Sequence, residues 1–251
     1  MENKVAIVTG ATGGIGAAVV RALRKRGAVV AAVDRNAEAL RETAAQPGVE
    51  PFQADVTDAE SVESTVDTVE QVLGPVDYLV NAAGVLRLGE AHKITDDDWR
   101  ETFAVNTTGV FHVSRAVVNR MTQRQRGAIV TVASNAASTP RIDMSAYAAS
   151  KAAAAMFTRC LGLEVARQGI RCNIVAPGST DTPMLSSMWH DESGPRNTIE
   201  GNLVAHRLGI PLGRIAQPSD IADAVVFLLS DQAVHITMHA LTVDGGASLG
   251  S

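Results

Sequence analysis

The stretch VAIVTGATGGIGAAVV, residues 5–20, joins an apolar, β-branched run to a helical pattern through several glycines. The run before Gly10 is typical of a strand buried on both faces, and the alanines and valines after Gly16 recur at helical spacing. Glycines at this junction permit a tight turn, close approach of a ligand to the backbone and an open helix N-terminus that attracts phosphate. We expect Gly10, Gly14, Ile15 and Gly16 to contact a dinucleotide.

Six further apolar runs follow along the chain, each separated from the next by a segment of helical periodicity. They read AVVAAV, VEPFQA, VDYLVN, GAIVTVAS, GIRCNIVA and HALTVD. Repeated alternation of strand and helix indicates a parallel sheet covered by helices on both faces. We predict a single doubly wound α/β (Rossmann) domain over residues 1–251, with a seven-stranded parallel sheet. The irregular segment 182–214 is interpreted as a substrate lid, with an ordinary surface loop as the alternative.

The composition is that of a soluble globular protein, with 46% hydrophobic and 20% charged residues and a net charge of −5. This balance argues against nucleic acid or an anionic membrane as a partner. The N-terminus lacks a signal-like apolar core, so a cytoplasmic protein is expected. We expect no metal site, and we expect Cys160 and Cys172 to be buried thiols without a disulfide.

An acidic residue, Asp34, ends the second strand of the predicted sheet. A carboxylate at this position accepts hydrogen bonds from ribose hydroxyls and repels a 2′-phosphate, which favours NAD over NADP. Arg35 follows directly and weakens that exclusion. NAD is therefore the predicted cofactor.

The alanine-rich run SAYAASKAAAA contains Tyr147 and Lys151, four residues apart. On a helix this spacing puts both side chains on one face. A phenol has a pKa of about 10, so it needs a nearby cation to act as a base near neutral pH. The pair predicts an acid/base centre, although the spacing alone is common in helices.

The motifs together resemble those of the short-chain dehydrogenase/reductase family over essentially the whole chain. They are TGATGGIG, NAAG at residues 81–84, Asn106, Ser134, Tyr147, Lys151 and PGSTDT at residues 177–182. The resemblance implies that Tyr147 is the general acid/base, Lys151 its pKa-lowering partner and a ribose ligand, Ser134 the group orienting substrate, and Asn106 the holder of a water. It also implies cofactor contacts from Asp55, Val56, Asn81, Gly84 and Thr182, and a homotetramer. Ala82 departs from the commoner NNAG pattern.

Local strings more specific than these motifs, among them NAAGVLRLG, TPRIDMSAY and VDGGASLG, resemble members of the family that oxidise a carboxylated cyclohexadiene. The implied reaction converts 2,3-dihydro-2,3-dihydroxybenzoate to 2,3-dihydroxybenzoate for siderophore biosynthesis. Arginine binds a carboxylate through two parallel hydrogen bonds, so Arg87 and Arg141 are candidate carboxylate ligands. Met144, Met184, Met188 and Trp189 are candidate apolar walls, with Met144 the favoured one.

Alternative functions remain at this point. Asp143 stands where a small residue is usual in the relatives, and a carboxylate there would favour the 2-amino substrate trans-2,3-dihydro-3-hydroxyanthranilate; the simpler interpretation is that Asp143 faces solvent. The shared motifs also fit a general alcohol dehydrogenase or a 3-oxoacyl reductase of the family. A protein that senses NAD without turnover is the non-enzymatic alternative.

Overall fold

A computed structural model describes residues 1–189 and 191–250 of the protein. Its described residues form one seven-stranded sheet, whose strands all pair in parallel in the order β3-β2-β1-β4-β5-β6-β7. The strands are β1 (Val5–Thr9), β2 (Val29–Asp34), β3 (Val49–Gln53), β4 (Val76–Asn81), β5 (Gly127–Val132), β6 (Ile170–Pro177) and β7 (Ala240–Val243). The predicted strands and the parallel sheet are confirmed.

Helices cover both faces of the sheet. They are α1 (Gly14–Lys25), α2 (Ala37–Thr43), α3 (Ala59–Leu73), α4 (Asp96–Phe103), α5 (Val110–Arg124), α6 (Ser145–Val165), α7 (Pro183–Ser186), α8 (Gly194–Glu200) and α9 (Pro218–Leu229). On one face the apolar stripes of α1 and α9 bury residues such as Leu23 and Val225 against the strands. On the other, α3, α5 and α6 bury Val66, Val117 and Leu161. Each helix buries one stripe because its apolar residues recur at helical spacing.

The strand order reverses at β1, since β2 and β3 lie on one side of it and β4 to β7 on the other. In open α/β sheets ligands bind outside the carboxyl ends of the strands at such a switch point. The loops after β1, β2, β4, β5 and β6 all open at that edge. The fold therefore brings together residues that are far apart in the sequence.

Some elements differ from the sequence-based prediction. The long helix predicted from Asp96 onward is interrupted by a π-helical turn, Ala104–Gly109, between α4 and α5. Within segment 182–214 the structure contains α7, α8 and a paired turn in which Asn202 and Arg207 exchange two backbone hydrogen bonds, each of 2.9 Å. His190, inside that segment, and Ser251 lie outside the described residues.

Two further predictions concern individual side chains and membrane spans. Cys172 is buried as expected, but Cys160 is exposed on α6, so the prediction of a buried thiol there was wrong. The reason is that Cys160 lies on the solvent side of a helix whose small residues obscure its periodicity. Among the described residues no helix has both the length and the apolar character needed to cross a membrane, and no cluster of potential metal ligands occurs.

Candidate active site

The glycine loop between β1 and α1 forms the floor of a groove at the switch point. Gly10 has a φ of 63°, and a Cβ there would lie 2.6 Å from the Cα of Ala83. A Cβ on Gly16 would collide with the carbonyl oxygen of Gly10. The N-terminus of α1 has no side-chain cap, so its first N–H groups stay open toward the groove. Such a terminus suits the pyrophosphate of a dinucleotide.

Two carboxylates mark the far end of this groove. Asp34 Oδ2 accepts hydrogen bonds from the backbone N–H of Thr12 at 3.2 Å and from its hydroxyl at 2.7 Å, and these bonds fix the carboxylate at the end of β2. Asp55 accepts two 2.8 Å hydrogen bonds from Thr57, from the backbone N–H and from the hydroxyl, and the pKa of Asp55 is lowered mainly by the backbone bond. Both residues line the groove together with Arg35.

The structure brings most of the predicted cofactor residues to one place. Those lining the groove are Gly10, Gly14, Ile15, Gly16, Asp34, Asp55, Val56, Gly84 and Thr182. Asn81 is not among them: it is buried beneath the groove, and its Nδ2 donates to the hydroxyls of Ser114 and Thr131. Asn81 therefore supports the groove from below. The glycine cradle, the open helix terminus and the carboxylate at the ribose position together fit a nicotinamide dinucleotide.

A second cavity continues from the groove, with Ile15, Gly84 and Thr182 lining both. Ser134 enters it from the end of β5, and Tyr147 and Lys151 enter it from α6. The side chains of Ser134 and Tyr147 share a hydrogen bond, and the Lys151 ammonium lies 5.9 Å from the centroid of the tyrosine ring. The predicted acid/base group is thus assembled in one cavity.

Burial opposes the charged forms of both acid/base residues. Burial lowers the pKa of Lys151 to about 8 and raises the pKa of Tyr147, an effect that the hydrogen bond from Ser134 partly offsets. A tyrosinate and an ammonium stabilise each other. The charged ammonium of Lys151 therefore lowers the pKa of the phenol, and the tyrosinate raises the pKa of the amine. Lys151 is held in place by a 3.0 Å hydrogen bond from Nζ to the carbonyl of Val132.

Asn106 lies behind this pair in the π-helical turn. Its amide is fully engaged: Oδ1 accepts from Val85 N at 2.9 Å, and Nδ2 donates to Val85 O and to Ser150 Oγ, each at 3.0 Å. Asn106 thereby ties the loop after β4 to α6. Asn106 Oδ1 and Lys151 Nζ both lie beside Gly84, since a Cβ placed on Gly84 would be 3.4 Å from Oδ1 and 3.2 Å from Nζ.

Two arginines line the cavity beyond Tyr147. Arg141 precedes α6, and Arg207 belongs to the paired turn of segment 182–214. Both arginines also line an adjoining recess, and Arg207 donates to the hydroxyl of Ser179 at 3.3 Å. Burial lowers the pKa of both guanidinium groups; the charge of Arg141 lowers the pKa of Arg207 further, whereas the charge of Asp244 partly offsets the lowering in Arg141. Neither arginine forms a salt bridge with a carboxylate within the described part of the chain, so the pair can bind an anion.

The two arginines predicted from the sequence have different positions. Arg141 is in the cavity, whereas Arg87 is outside it, bound to Glu101 through two 3.0 Å hydrogen bonds and lying 3.6 Å from Asp98. Arg207, which was not predicted, occupies the place expected for Arg87. No periodicity or motif surrounds Arg207, and only the fold brings it close to Arg141.

The remaining cavity wall is largely apolar. Met144, Met184 and Met188 line it, while Trp189 instead donates from Nε1 to the hydroxyl of Thr198 at 3.2 Å. Asp143 is exposed, has a φ of 61°, and takes no part in the cavity lining. The φ of Asp143 is a left-handed backbone conformation, which glycine adopts without strain.

The fold, the dinucleotide groove and the Ser134, Tyr147 and Lys151 cluster define an oxidoreductase site, and residues 4–193 match the model of the short chain dehydrogenase family. The chain belongs to this family, whose members use a nicotinamide cofactor to oxidise or reduce at a CH–OH group.

Particular relatives cover the whole chain. It is 54% identical over 255 residues to 2,3-dihydro-2,3-dihydroxybenzoate dehydrogenase of Bacillus subtilis (strain 168), covering 100% of this chain and 98% of that protein. It is 43% identical to the protein of the same name in Escherichia coli (strain K12), covering 97% and 96% of the two chains. The crystal structure of gox2181 superposes with a TM-score of 0.92 at 32% identity, covering 99% of this chain and 97% of that one.

Proposed function

We propose that the protein oxidises 2,3-dihydro-2,3-dihydroxybenzoate to 2,3-dihydroxybenzoate with NAD, a step of siderophore biosynthesis. The observation that carries the proposal is the pair Arg141 and Arg207, which lines the catalytic cavity and forms no salt bridge within the described part of the chain. The carboxylate of a small substrate can bind between these guanidinium groups. The names of the relatives at 54% and 43% identity support the same substrate.

In this mechanism the arginine pair holds the substrate carboxylate and brings C3 toward the acid/base group. The tyrosinate oxygen of Tyr147 takes the proton of the C3 hydroxyl, while Ser134 hydrogen-bonds to the same substrate oxygen. The ammonium of Lys151 stabilises the tyrosinate. A nicotinamide cofactor, held in the groove by the glycine loop, Asp34 and Thr182, would supply the acceptor for the hydride from C3. The dienone so formed tautomerises to the catechol, and the gain of aromaticity drives the reaction toward oxidation.

NAD is the proposed cofactor because Asp34 lies at the ribose end of the groove and its carboxylate is fixed by Thr12. A 2′-phosphate would approach this negative charge at close range in a partly buried setting. Among the described residues that line the groove, Arg35 is the only one with a positive charge that could attract such a phosphate. We expect kcat/KM with NAD to exceed that with NADP, and Asp34→Asn to narrow the difference.

The first experiment measures NADH formation by the purified protein with NAD, offering the diol acid and its 2-amino analogue in parallel. We expect oxidation of the diol acid to be the faster reaction. The exposure of Asp143 removes the one feature that favoured the amine. A preference for the amine would assign the protein to the aminobenzoate reaction, and turnover of neither would remove the proposed substrate while leaving the family membership.

Two matched variants separate chemistry from recognition. Tyr147→Phe keeps the ring and removes the acid/base, so kcat should fall by about 10²–10⁴-fold, the usual contribution of such a group. Arg207→Gln keeps an unbranched polar side chain and removes the charge, so KM for the acid should rise while KM for NAD stays the same. An unchanged KM for the acid in Arg207→Gln would refute the anion site.

Assembly, lid and location complete the proposal. Large apolar side chains on α4, α5 and α6, namely Trp99, Phe111, Met156 and Leu163, are exposed, and we propose that they pack between subunits of a homotetramer.

Segment 182–214 contributes Met184, Met188 and Arg207 to the cavity, which supports its role as a lid within a single catalytic domain. The proposed dependence on NAD favours a cytoplasmic location.

A further inference from the structure

Asn135 lines the active-site cavity together with the acid/base residues and the arginine pair. It follows Ser134 directly and begins a short 3₁₀ turn, Asn135–Ala137. It lines the active-site cavity with Tyr147, and it also lines the adjoining recess with Arg141 and Arg207. Its side chain is 8% exposed. Asn135 thus borders both the place where hydride transfer occurs and the place where the carboxylate binds.

The orientation of the Asn135 amide is set by a carboxylate behind it. Asn135 Nδ2 donates to Asp244 Oδ2 at 3.2 Å. A carboxylate only accepts hydrogen bonds, so the amide nitrogen must face Asp244 and the amide oxygen must face away from it. Asp244 is anchored in turn by the backbone N–H groups of Gly246 and Ser248, each at 2.9 Å, and by the hydroxyl of Ser248 at 2.5 Å.

The backbone around Asn135 is also fixed. Its carbonyl oxygen accepts hydrogen bonds from the N–H groups of Ser138 at 3.2 Å and of Thr139 at 3.0 Å. By contrast, no donor in the described part of the chain reaches Oδ1 of Asn135. Asn135 Oδ1 is also not one of the buried side-chain atoms that lack a partner, so it is open to the space that the residue lines. The cavity therefore holds an oriented acceptor that is available to a ligand.

The same cavity contains the groups proposed to bind two other substituents of the ring. The arginine pair takes the carboxylate of C1, and Tyr147 with Ser134 takes the hydroxyl of C3, so the substituent on C2 lies between these two contacts. We propose that Asn135 Oδ1 accepts a hydrogen bond from the hydroxyl on C2, which makes Asn135 a specificity residue for a donor at that position. This inference rests on the proposed function, because it requires the C1 and C3 contacts to fix the ring.

The recognition has a defined chemical range. A hydroxyl or an amino group on C2 can donate to Oδ1, whereas hydrogen or a methoxy group cannot. Sites built around a buried hydrogen-bonding group reject the analogue that lacks its partner, because the protein group is then left unsatisfied. Asn135 should therefore discriminate against a ring that is unsubstituted at C2, irrespective of the arginine pair.

The test compares the diol acid with an analogue that has hydrogen in place of the C2 hydroxyl, using wild type, Asn135→Leu and Asn119→Leu. Leucine keeps the approximate volume and removes the acceptor, and Asn119 is an exposed asparagine on α5 that serves as the control. We expect wild type and Asn119→Leu to favour the diol acid by about tenfold or more in kcat/KM, the effect of one hydrogen bond. Asn135→Leu should lose most of that preference.

Either of two results would overturn the inference: a wild-type enzyme that does not distinguish the two acids, or an Asn135→Leu enzyme that keeps the wild-type ratio. The first result needs no variant, so a misfolded variant does not prevent a decision. NADH binding and thermal unfolding establish that Asn135→Leu is folded. Failure of the wild type to oxidise the diol acid at all is a separate outcome, and it refutes the proposed function.

Discussion

At the scale of single residues, Lys151 lies in surroundings that oppose its own charge. It is 5% exposed, and within the described structure its ammonium donates a hydrogen bond to the carbonyl of Val132. Burial lowers its pKa to about 8, against about 10.4 for a free lysine. In the proposed mechanism its charge stabilises the tyrosinate of Tyr147. Its burial therefore contributes to activity and lowers stability.

Comparison of wild type with Lys151→Met measures how much the buried charge of Lys151 lowers the free energy of unfolding. The unfolded chain binds the Lys151 proton more tightly than the folded chain does. The free energy of unfolding of wild type therefore increases as the pH rises from about 8 to about 10, where the folded protein loses this proton. We expect Lys151→Met to be the more stable protein near neutral pH, with the difference narrowing toward about pH 10. Denaturant unfolding at both pH values checks this. The exposed Lys25→Met serves as control, and a difference independent of pH would contradict the expectation.

Asp143 provides a second test at this scale, because its backbone and not its carboxylate is constrained. Its φ of 61° strains any residue with a Cβ, and its carbonyl accepts a 2.9 Å hydrogen bond from Gly89 N. We expect Asp143→Gly to be as stable as wild type or slightly more so, and Asp143→Ala to be less stable than Asp143→Gly by about 1 kcal/mol. Thermal unfolding measures the stability of each variant. Equal stability of the two variants would contradict this account, and neither should change the preference between the 2-hydroxy and 2-amino acids.

At the scale of secondary structure, the π-helical turn connects the catalytic residues to the cofactor groove. It places Asn106 against the loop after β4 and against α6, and its last residue, Gly109, packs on the loop after β3. A Cβ on Gly109 would lie 2.7 Å from Cγ2 of Val56, which lines the groove. The start of α5 therefore determines the width of the groove at Val56.

Gly109→Ala should narrow the groove by displacing Val56. We expect KM for NAD to rise several-fold while kcat at saturating NAD stays close to wild type, because Tyr147 and Lys151 do not move. Steady-state kinetics with varied NAD measure this effect. The double variant Gly109→Ala, Val56→Ala removes the clashing methyl and should restore KM. A high KM that persists in the double variant would place the effect elsewhere.

The sequence predicts the elements of this protein unequally, for physical reasons. The central strands β1, β4 and β5 are almost wholly buried, so each one reads as an apolar run that is easy to recognise. The edge strand β3 exposes Glu50, Pro51 and Gln53 and gives a weaker pattern. The π-helical turn leaves the apolar periodicity on either side intact, and the pattern therefore reads as one helix. Helix α2 buries chiefly Leu40, which gives too little periodicity for a prediction.

The site shows the same division. Tyr147 and Lys151 are predictable because their spacing on one helix has a chemical meaning by itself. Arg87 and Arg207 are not distinguishable in the sequence, since both lie in irregular segments. Arg87 is held outside the cavity by Glu101 on α4, and Arg207 reaches it only because the paired turn folds back toward Arg141. Such contacts depend on the tertiary structure.

At the scale of the whole molecule, the exposed apolar face of α6 is the main support for the proposed homotetramer. Met156 and Leu163 are 55% and 70% exposed and lie two turns apart, so they share one face of the helix. Leu163→Glu places a charge in the proposed interface, where burial without a partner is unfavourable. We expect the tetramer to dissociate into smaller species, as measured by light scattering. The control Val72→Glu, on an exposed position of α3, should remain tetrameric, and a tetramer in both variants would refute this interface.

The proposed anion site at Arg141 and Arg207 has a consequence for the course of turnover. Oxidation changes C2 and C3 of the ring but leaves the carboxylate untouched, so in the proposed mechanism the two arginines bind the product by the same group as the substrate. An interaction that is equally strong before and after the chemical step lowers KM without raising kcat. The pair therefore selects which molecules enter and retards their departure. The aromatic acid should compete with its own precursor, and if segment 182–214 acts as the proposed lid, its opening governs how soon the next molecule can bind.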